Sequence, residues 1–242
     1  MLKNEGDKDS RIRPLLGDAS GARANSLLAR LPEREYDRLA PLLTRVSFGF
    51  KESLFESGQP LDRVYFPVSG VISFLAELAG KKRVAVYLGG SEGLVGLPVL
   101  LGIDRSPVRA LAQSPGKAWR MSVDDFNEEI KRGGALKDLL IQHAGHILTR
   151  LVQSVACAGS HPLDKRCCRW LLMLHDRLRE SQFQLTQVDL AEMLGARRAS
   201  VTEIAGALQR TGLIHYTRGR ITILDRKALE NAACECYQLD RL

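Results

Sequence analysis

Residues 134–160 set the strongest constraint on what this chain can fold into. The stretch ALKDLLIQHAGHILTRLVQSVACAG runs for about 25 residues without proline, and Leu140, Ala144, Ile147, Leu151, Val155 and Ala158 recur on one helical face. A globular helix usually spans about 8 to 20 residues, and this one is apolar on more than one stripe, so it calls for a partner beyond its own domain. A second copy of the chain is the expected partner; burial within one chain is the alternative. His161-Pro162 ends the helix, because proline disfavours helical geometry in the residue before it. The long helix therefore separates two halves of different character.

Upstream, residues 1–24 are polar and charged without a sustained period and are expected to form a flexible tail. Leu27, Leu28, Leu31, Tyr36, Leu39, Leu42 and Leu43 then fall at helical spacing, with Pro32 opening a second short helix. From Val46 to about Val123 the pattern shortens to period two. The runs VYFPV, VISFLAEL and RVAVYL, punctuated by Ser-Gly and Ala-Gly-Lys-Lys, predict a compact antiparallel β-barrel or β-roll within residues 25–133.

Downstream, residues 161–242 read as a second, mostly helical domain, so the fold class is α+β. Leu163, Cys167, Trp170, Leu171 and Leu174 mark one face of a helix. Thr186 is placed to cap a short helix, QVDLAEML, with Val188, Leu190, Ala191 and Leu194 inward. Gly195 supplies a turn, and RRASVTEIAGALQRTGLI follows as a helix anchored by Val201, Ile204, Ala205 and Leu208. Its outward positions are Arg197, Arg198, Ser200, Thr202 and Glu203. Two β-rich runs around Arg218-Gly219-Arg220 predict a hairpin with a basic tip.

Charge agrees with an anionic partner. Thirty-five Lys and Arg against 28 Asp and Glu give a formal net charge of +7. Between Gly195 and Lys227 there are seven basic residues against Glu203 and Asp225. A helix inserted by its N-terminal end offers polar side chains to base edges, while arginines and helix-start N–H groups meet phosphate. Thr186, Gln187, Arg197, Arg198, Ser200, Thr202, Glu203, Arg218 and Arg220 are the candidate DNA-binding residues. No P-loop, HExxH zinc motif or nucleophile-base pair points to catalysis. No apolar run approaches the roughly 20 residues that cross a bilayer and no signal peptide is evident, so a cytoplasmic location is expected.

LTQVDLAEMLGARRASVTEIAGALQRTGLI followed by RGRITILDRKALE resembles the winged helix-turn-helix of the Crp/Fnr family of bacterial transcription regulators. The resemblance extends upstream in order, through a long dimerisation helix to a cyclic-nucleotide-binding-type roll carrying GLVGLPVLLG. It implies a homodimer on a pseudo-palindromic operator in double-stranded DNA, with RNA polymerase as a further partner. A ligand-binding or scaffolding module with weak, non-specific DNA binding is the alternative. The family often places Arg-Glu-Thr/Ser-Val-x-Arg at the start of its reading helix; this chain has Arg198, Ala199, Ser200, Val201, Thr202 and Glu203. Glutamate can accept from cytosine but repels phosphate, so the operator should differ from the familiar one.

The resemblance also implies an effector pocket of Gly-Glu-aliphatic followed by Arg-Ser/Thr-Ala. Here Ser91-Glu92-Gly93-Leu94 and Arg105-Ser106-Pro107 match in part, making Glu92, Arg105 and Ser106 the effector candidates. The departures favour an unfamiliar ligand, or none, over a cyclic nucleotide. Iron-sulfur and haem sensing are disfavoured because residues 1–142 contain neither Cys nor His, leaving His143 and His146 as the nearest imidazoles. The five cysteines, Cys157, Cys167, Cys168, Cys234 and Cys236, are a poor disulfide framework. Cys234 and Cys236 have metal-compatible spacing without evident partners, so no metal site is expected.

Overall fold

The computed structural model describes residues 12–14, 19–79 and 82–241. Its N-terminal half is organised by a buried asparagine. Asn25 caps helix α1 (Ser26–Ala29) by accepting from the backbone N–H groups of Leu27 and Leu28, and its amide donates to the carbonyls of Pro67 and Gly93. One fully buried side chain thereby fixes the helical lead to the roll.

The expected flexible tail over 1–24 needs correction. Residues 1–11 and 15–18 lie outside the described residues, but strand β1 (Arg13–Pro14) pairs antiparallel with β2 (Thr44–Phe48), and Ala19–Ala24 forms a 3-10 helix. Ile12 and Ala22 are buried, so even this polar segment has apolar anchors.

Among the described residues the roll consists of two antiparallel sheets. Beside β1 and β2 they contain β3 (Ser53–Phe55), β4 (Arg63–Ser69), β5 (Ile72–Leu78), β6 (Lys82–Gly89), β7 (Arg109–Ala112) and β8 (Gly116–Ser122). Their orders are β1-β2-β8-β4 and β3-β7-β5-β6. Alternating side chains place Phe48, Phe66, Trp119 and Met121 in the core. At Gly116 a β-carbon would come within 2.3 Å of the Ser69 carbonyl oxygen, so only glycine permits the approach of β8 to β4 there.

Helix α2 (Glu33–Leu39) and helix α3 (Val123–Arg132) flank the roll, and α4 (Ala135–Ser160) is the long helix. Gly134, at φ 95°, offers α4 no capping side chain. Glu35 substitutes from α2: its two carboxylate oxygens accept from the N–H groups of Ala135 and Leu136 at 3.0 and 3.1 Å. Leu136, Leu139, Leu140 and His143 are buried, whereas beyond them only Cys157 on this helix is. The single face expected from Leu140 to Ala158 therefore divides. Leu140 belongs to the roll's core, Leu151 is half-buried, and Val155 and Ala158 are exposed.

His161 caps α4, and Pro162 precedes α5 (Leu163–Leu178). Cys167, Cys168, Trp170, Leu171 and Leu174 are buried along α5. The chain continues through β9 (Gln182–Gln184), α6 (Gln187–Leu194), α7 (Arg198–Arg210), β10 (Ile214–Thr217), β11 (Arg220–Ile223), α8 (Arg226–Ala232) and α9 (Tyr237–Asp240). The C-terminal segment is held by a buried pair, Arg169 with Asp240, at 2.6 Å. Among the described residues no helix is long and apolar enough to cross a membrane.

Candidate nucleic-acid interface

The helix-turn-helix forms where the local chemistry directs it. The Thr186 hydroxyl accepts from Asp189 N–H, and the Asp189 carboxylate accepts in return from Thr186 N–H, both at 3.1 Å. This reciprocal cap starts α6. Gly195 ends it in the left-handed region at φ 63°, and a β-carbon there would lie 3.0 Å from Val84 of the roll. Leu190, Ala191 and Leu194 are buried as expected, but Val188 is 46% exposed and Met193 takes the inward place. At 100° per residue Val188 stands about 160° around the helix from Leu190, on the opposite face.

Helix α7 is anchored by Val201, Ala205 and Leu208, with Ile204 half-buried. Arg197, at its N-cap, makes no side-chain cap bond, so its side chain leaves the helix-start N–H groups uncapped. With Arg197 and Arg198 exposed around it, this end has the chemistry of a phosphate contact. Thr202 and Glu203 are exposed and Ser200 is half-buried. The Thr202 hydroxyl donates to the Gln187 side-chain oxygen at 2.6 Å, joining the beginnings of the two helices. Arg198 and Thr202 share one edge of α7, one turn apart. Ser200 and Glu203 instead border a shallow depression with Leu163 and Ala228.

The hairpin β10–β11 turns through Arg218 and Gly219, both at positive φ (47° and 77°), the geometry of a tight two-residue hairpin loop. Its Gly219 carbonyl accepts from Leu185 N–H at 2.8 Å, holding the tip beside the start of α6. Arg218 and Arg220 are exposed there. Arg226, counted among the seven basic residues, is occupied internally by Asp176 at 2.7 Å and Glu230 at 3.0 Å.

The three effector candidates take structural partners. Glu92 is paired at 2.9 Å with Arg177 of α5, whose side chain is 1% exposed. Arg105 donates to the Gly58 carbonyl, and the Ser106 hydroxyl to the Val108 carbonyl. Glu92 borders a small cavity with His143 and His146, whereas Ser106 borders a different one. Burial holds His143 below the usual imidazole range. The Ser106 cavity, roughly 460 Å³, lies between the roll and α4, with Phe74, Tyr87, Leu97, Leu101, Ile147 and Leu148 in its wall.

Two family models match in the same order as these structural halves. Residues 45–132 match the cyclic nucleotide-binding domain and residues 165–232 the Crp-like helix-turn-helix domain. The chain belongs to the Crp/Fnr family. A global nitrogen regulator of Synechococcus elongatus is 23% identical over 218 residues, covering 86% of this chain and 97% of its own. Among solved structures, a transcriptional regulator of the Crp/Fnr family from Thermus thermophilus superposes with a TM-score of 0.67 at 24% identity, over 78% of this chain and 97% of that one. A Crp/Fnr-family structure from Eubacterium rectale gives 0.70 at 17% identity, over 87% and 98%. This Crp/Fnr chain is thus a DNA-binding transcription regulator rather than an enzyme.

Docking of the two halves was not visible in the sequence. Helix α6 packs on β6, with Lys51 to Asp189 at 2.8 Å and Arg83 to Glu192 at 3.1 Å. The expectation that Cys234 and Cys236 lack metal-compatible neighbours is also corrected: Cys157 and His161 converge on them from the end of α4. The folding back of α8 and α9 brings them together across 77 residues of sequence.

Proposed function

We propose that this Crp/Fnr regulator acts as a homodimer that reads a pseudo-palindromic operator with the N-terminal half of α7. The signal passes from the roll along α4. The observation that carries the dimer is the stripe Ile141, Leu148, Val152 and Val155, exposed by 53, 63, 63 and 75% on a single chain. These residues recur every three, four or seven positions, the spacing of a helix-to-helix seam, and soluble chains rarely leave such a row in water. A two-fold dimer presents two copies of α7 to half-sites about one helical turn apart, roughly 34 Å. In this reading Arg198 reaches a base, Arg197, Arg218 and Arg220 meet phosphate, and Thr202 and Gln187 position the reading edge. Glu203 distinguishes the operator from those of relatives with arginine there.

The pairing of Glu92 with Arg177 and the apolar wall beside α4 support an effector with a largely apolar surface over a cyclic phosphate. RNA polymerase is the partner through which bound dimer would alter transcription. The deciding experiment is selection of duplexes from a random pool by the purified chain and by Arg198→Ala. The native chain should enrich a two-fold symmetric sequence, and the variant should lose discrimination at one position per half-site, by about 1–3 kcal/mol. Enrichment of no common sequence, or the same preference in both proteins, would refute the assigned reading helix.

A further inference from the structure

Cys157, His161, Cys234 and Cys236 place three sulfurs and one ring nitrogen within 4.8 Å of one another. They come from the last turn of α4, the residue that caps it, and the segment joining α8 to α9. The three cysteines are buried, and the His161 side chain is 19% exposed.

Two of the spacings match those of ligands around one ion. Cys157 Sγ and Cys234 Sγ are 3.6 Å apart, and Cys236 Sγ is 3.5 Å from His161 Nδ1. A tetrahedral zinc ion bound at normal lengths sets sulfur-sulfur edges of about 3.8 Å and sulfur-nitrogen edges of about 3.6 Å. A disulfide would need sulfurs about 2 Å apart. An iron-sulfur cluster would divide four ligands over at least two irons, setting those on different irons farther apart than the 4.8 Å that bounds these atoms.

The surroundings also suit a metal. His161 Nε2 lies 2.9 Å from Glu235 Oε1, which orients the ring so that Nδ1 faces the sulfurs. The Gln153 amide donates to Cys236 Sγ at 3.0 Å. Cys167 and Cys168 differ: they sit in the apolar core of α5, and burial pushes the Cys168 thiol up to about 12.

We propose that Cys157, His161, Cys234 and Cys236 bind one zinc ion per chain, in a closed site that ties the C-terminal segment to the junction of α4 and α5. Four protein ligands leave no open position, so the ion is structural rather than catalytic. Binding converts three thiols to thiolates and releases their protons to solvent. The ion closes a loop of 77 residues containing the whole helix-turn-helix and wing, and so fixes the DNA-binding half to the end of the long helix.

Cobalt titration of the reduced, chelator-stripped full chain tests this without any variant. One equivalent of Co²⁺ should produce the intense visible bands of a tetrahedral ion and near-ultraviolet thiolate-to-cobalt charge transfer, and Zn²⁺ should abolish both. Cys234→Ser should lose part of the charge-transfer intensity, and Glu235→Gln should keep the bands while weakening Co²⁺ binding by about 10-fold. Cys168→Ala should leave the titration unchanged. A weak octahedral spectrum, absence of saturation at one equivalent, or a titration unaltered by Cys234→Ser would overturn the site. So would formation of a Cys157 to Cys234 disulfide in air with Zn²⁺ present.

Discussion

The two ends of α4 are one continuous helix in opposite circumstances. At the N-terminal end Glu35 satisfies the first N–H groups, and Leu136, Leu139, Leu140 and His143 are sealed against the chain's own roll. At the C-terminal end Leu148, Val152 and Val155 remain in solvent, and the last turn contributes Cys157 to a sulfur-rich cluster. Burial within one chain explains the first end but not the second. In the proposed dimer, this helix, about 39 Å long at 1.5 Å per residue, would belong to the roll at one end and to the assembly at the other.

Substitutions should separate the two ends. The largest effect belongs to the sealed end: Leu140→Ala, at a fully buried position, should cost about 2–5 kcal/mol in denaturant unfolding. At the open end, Leu148→Glu should leave secondary structure intact but weaken dimerisation by about 3 kcal/mol, roughly 100-fold, because both copies of the change face the seam. Sedimentation equilibrium of the variant distinguishes this from unfolding; an unchanged dimer would move the interface away from Leu148. Glu35→Ala should cost about 1 kcal/mol, the scale of a lost helix cap, in the same unfolding assay.

The smallest expected effect is pH dependence at His143. Its folded-state value lies below the ordinary 6.5 because burial disfavours the imidazolium. The neutral ring's contribution is therefore fully present above about pH 6.5, and is lost as pH falls from there through the lower folded-state value. His143→Gln should flatten the decline in thermal midpoint over that window. An undiminished decline would assign it to other groups; His175, also held low by burial and by Arg226, is the first candidate.

The parts of this molecule that were readable in the sequence are those specified by neighbours in the chain. Thr186 and Asp189, three residues apart, encode the cap, Gly195 the turn, and Arg218-Gly219 the hairpin loop. Strand-like runs and turn punctuation likewise located β4, β5 and β6 of the roll, though not β1, β2, β3, β7 or β8. Where the structure adds to the sequence reading or departs from it, a distant residue or a short helix is responsible. Arg177 pairs with Glu92 across 85 positions, and α6 has only eight residues, too few for its apolar spacing to separate Val188 from the buried face of Leu190, Ala191 and Leu194. The long helix was legible in extent but not in its division, since the roll that covers Leu140 and spares Val155 is assembled from elsewhere. Cys-x3-His at the end of that helix and Cys-x-Cys near the C terminus were the available signals for the cluster. Their meeting depends on how α8 and α9 fold back.

The stoichiometry of the protein-DNA complex tests the central claim most directly. Sedimentation of the chain with its selected duplex, and with a duplex carrying one half-site, should give two chains per symmetric duplex and much weaker binding to the single half-site. Leu148→Glu should abolish that difference. One chain per symmetric duplex, or equal affinity for both duplexes with the native protein, would contradict the account of α4 as the element that pairs two reading helices.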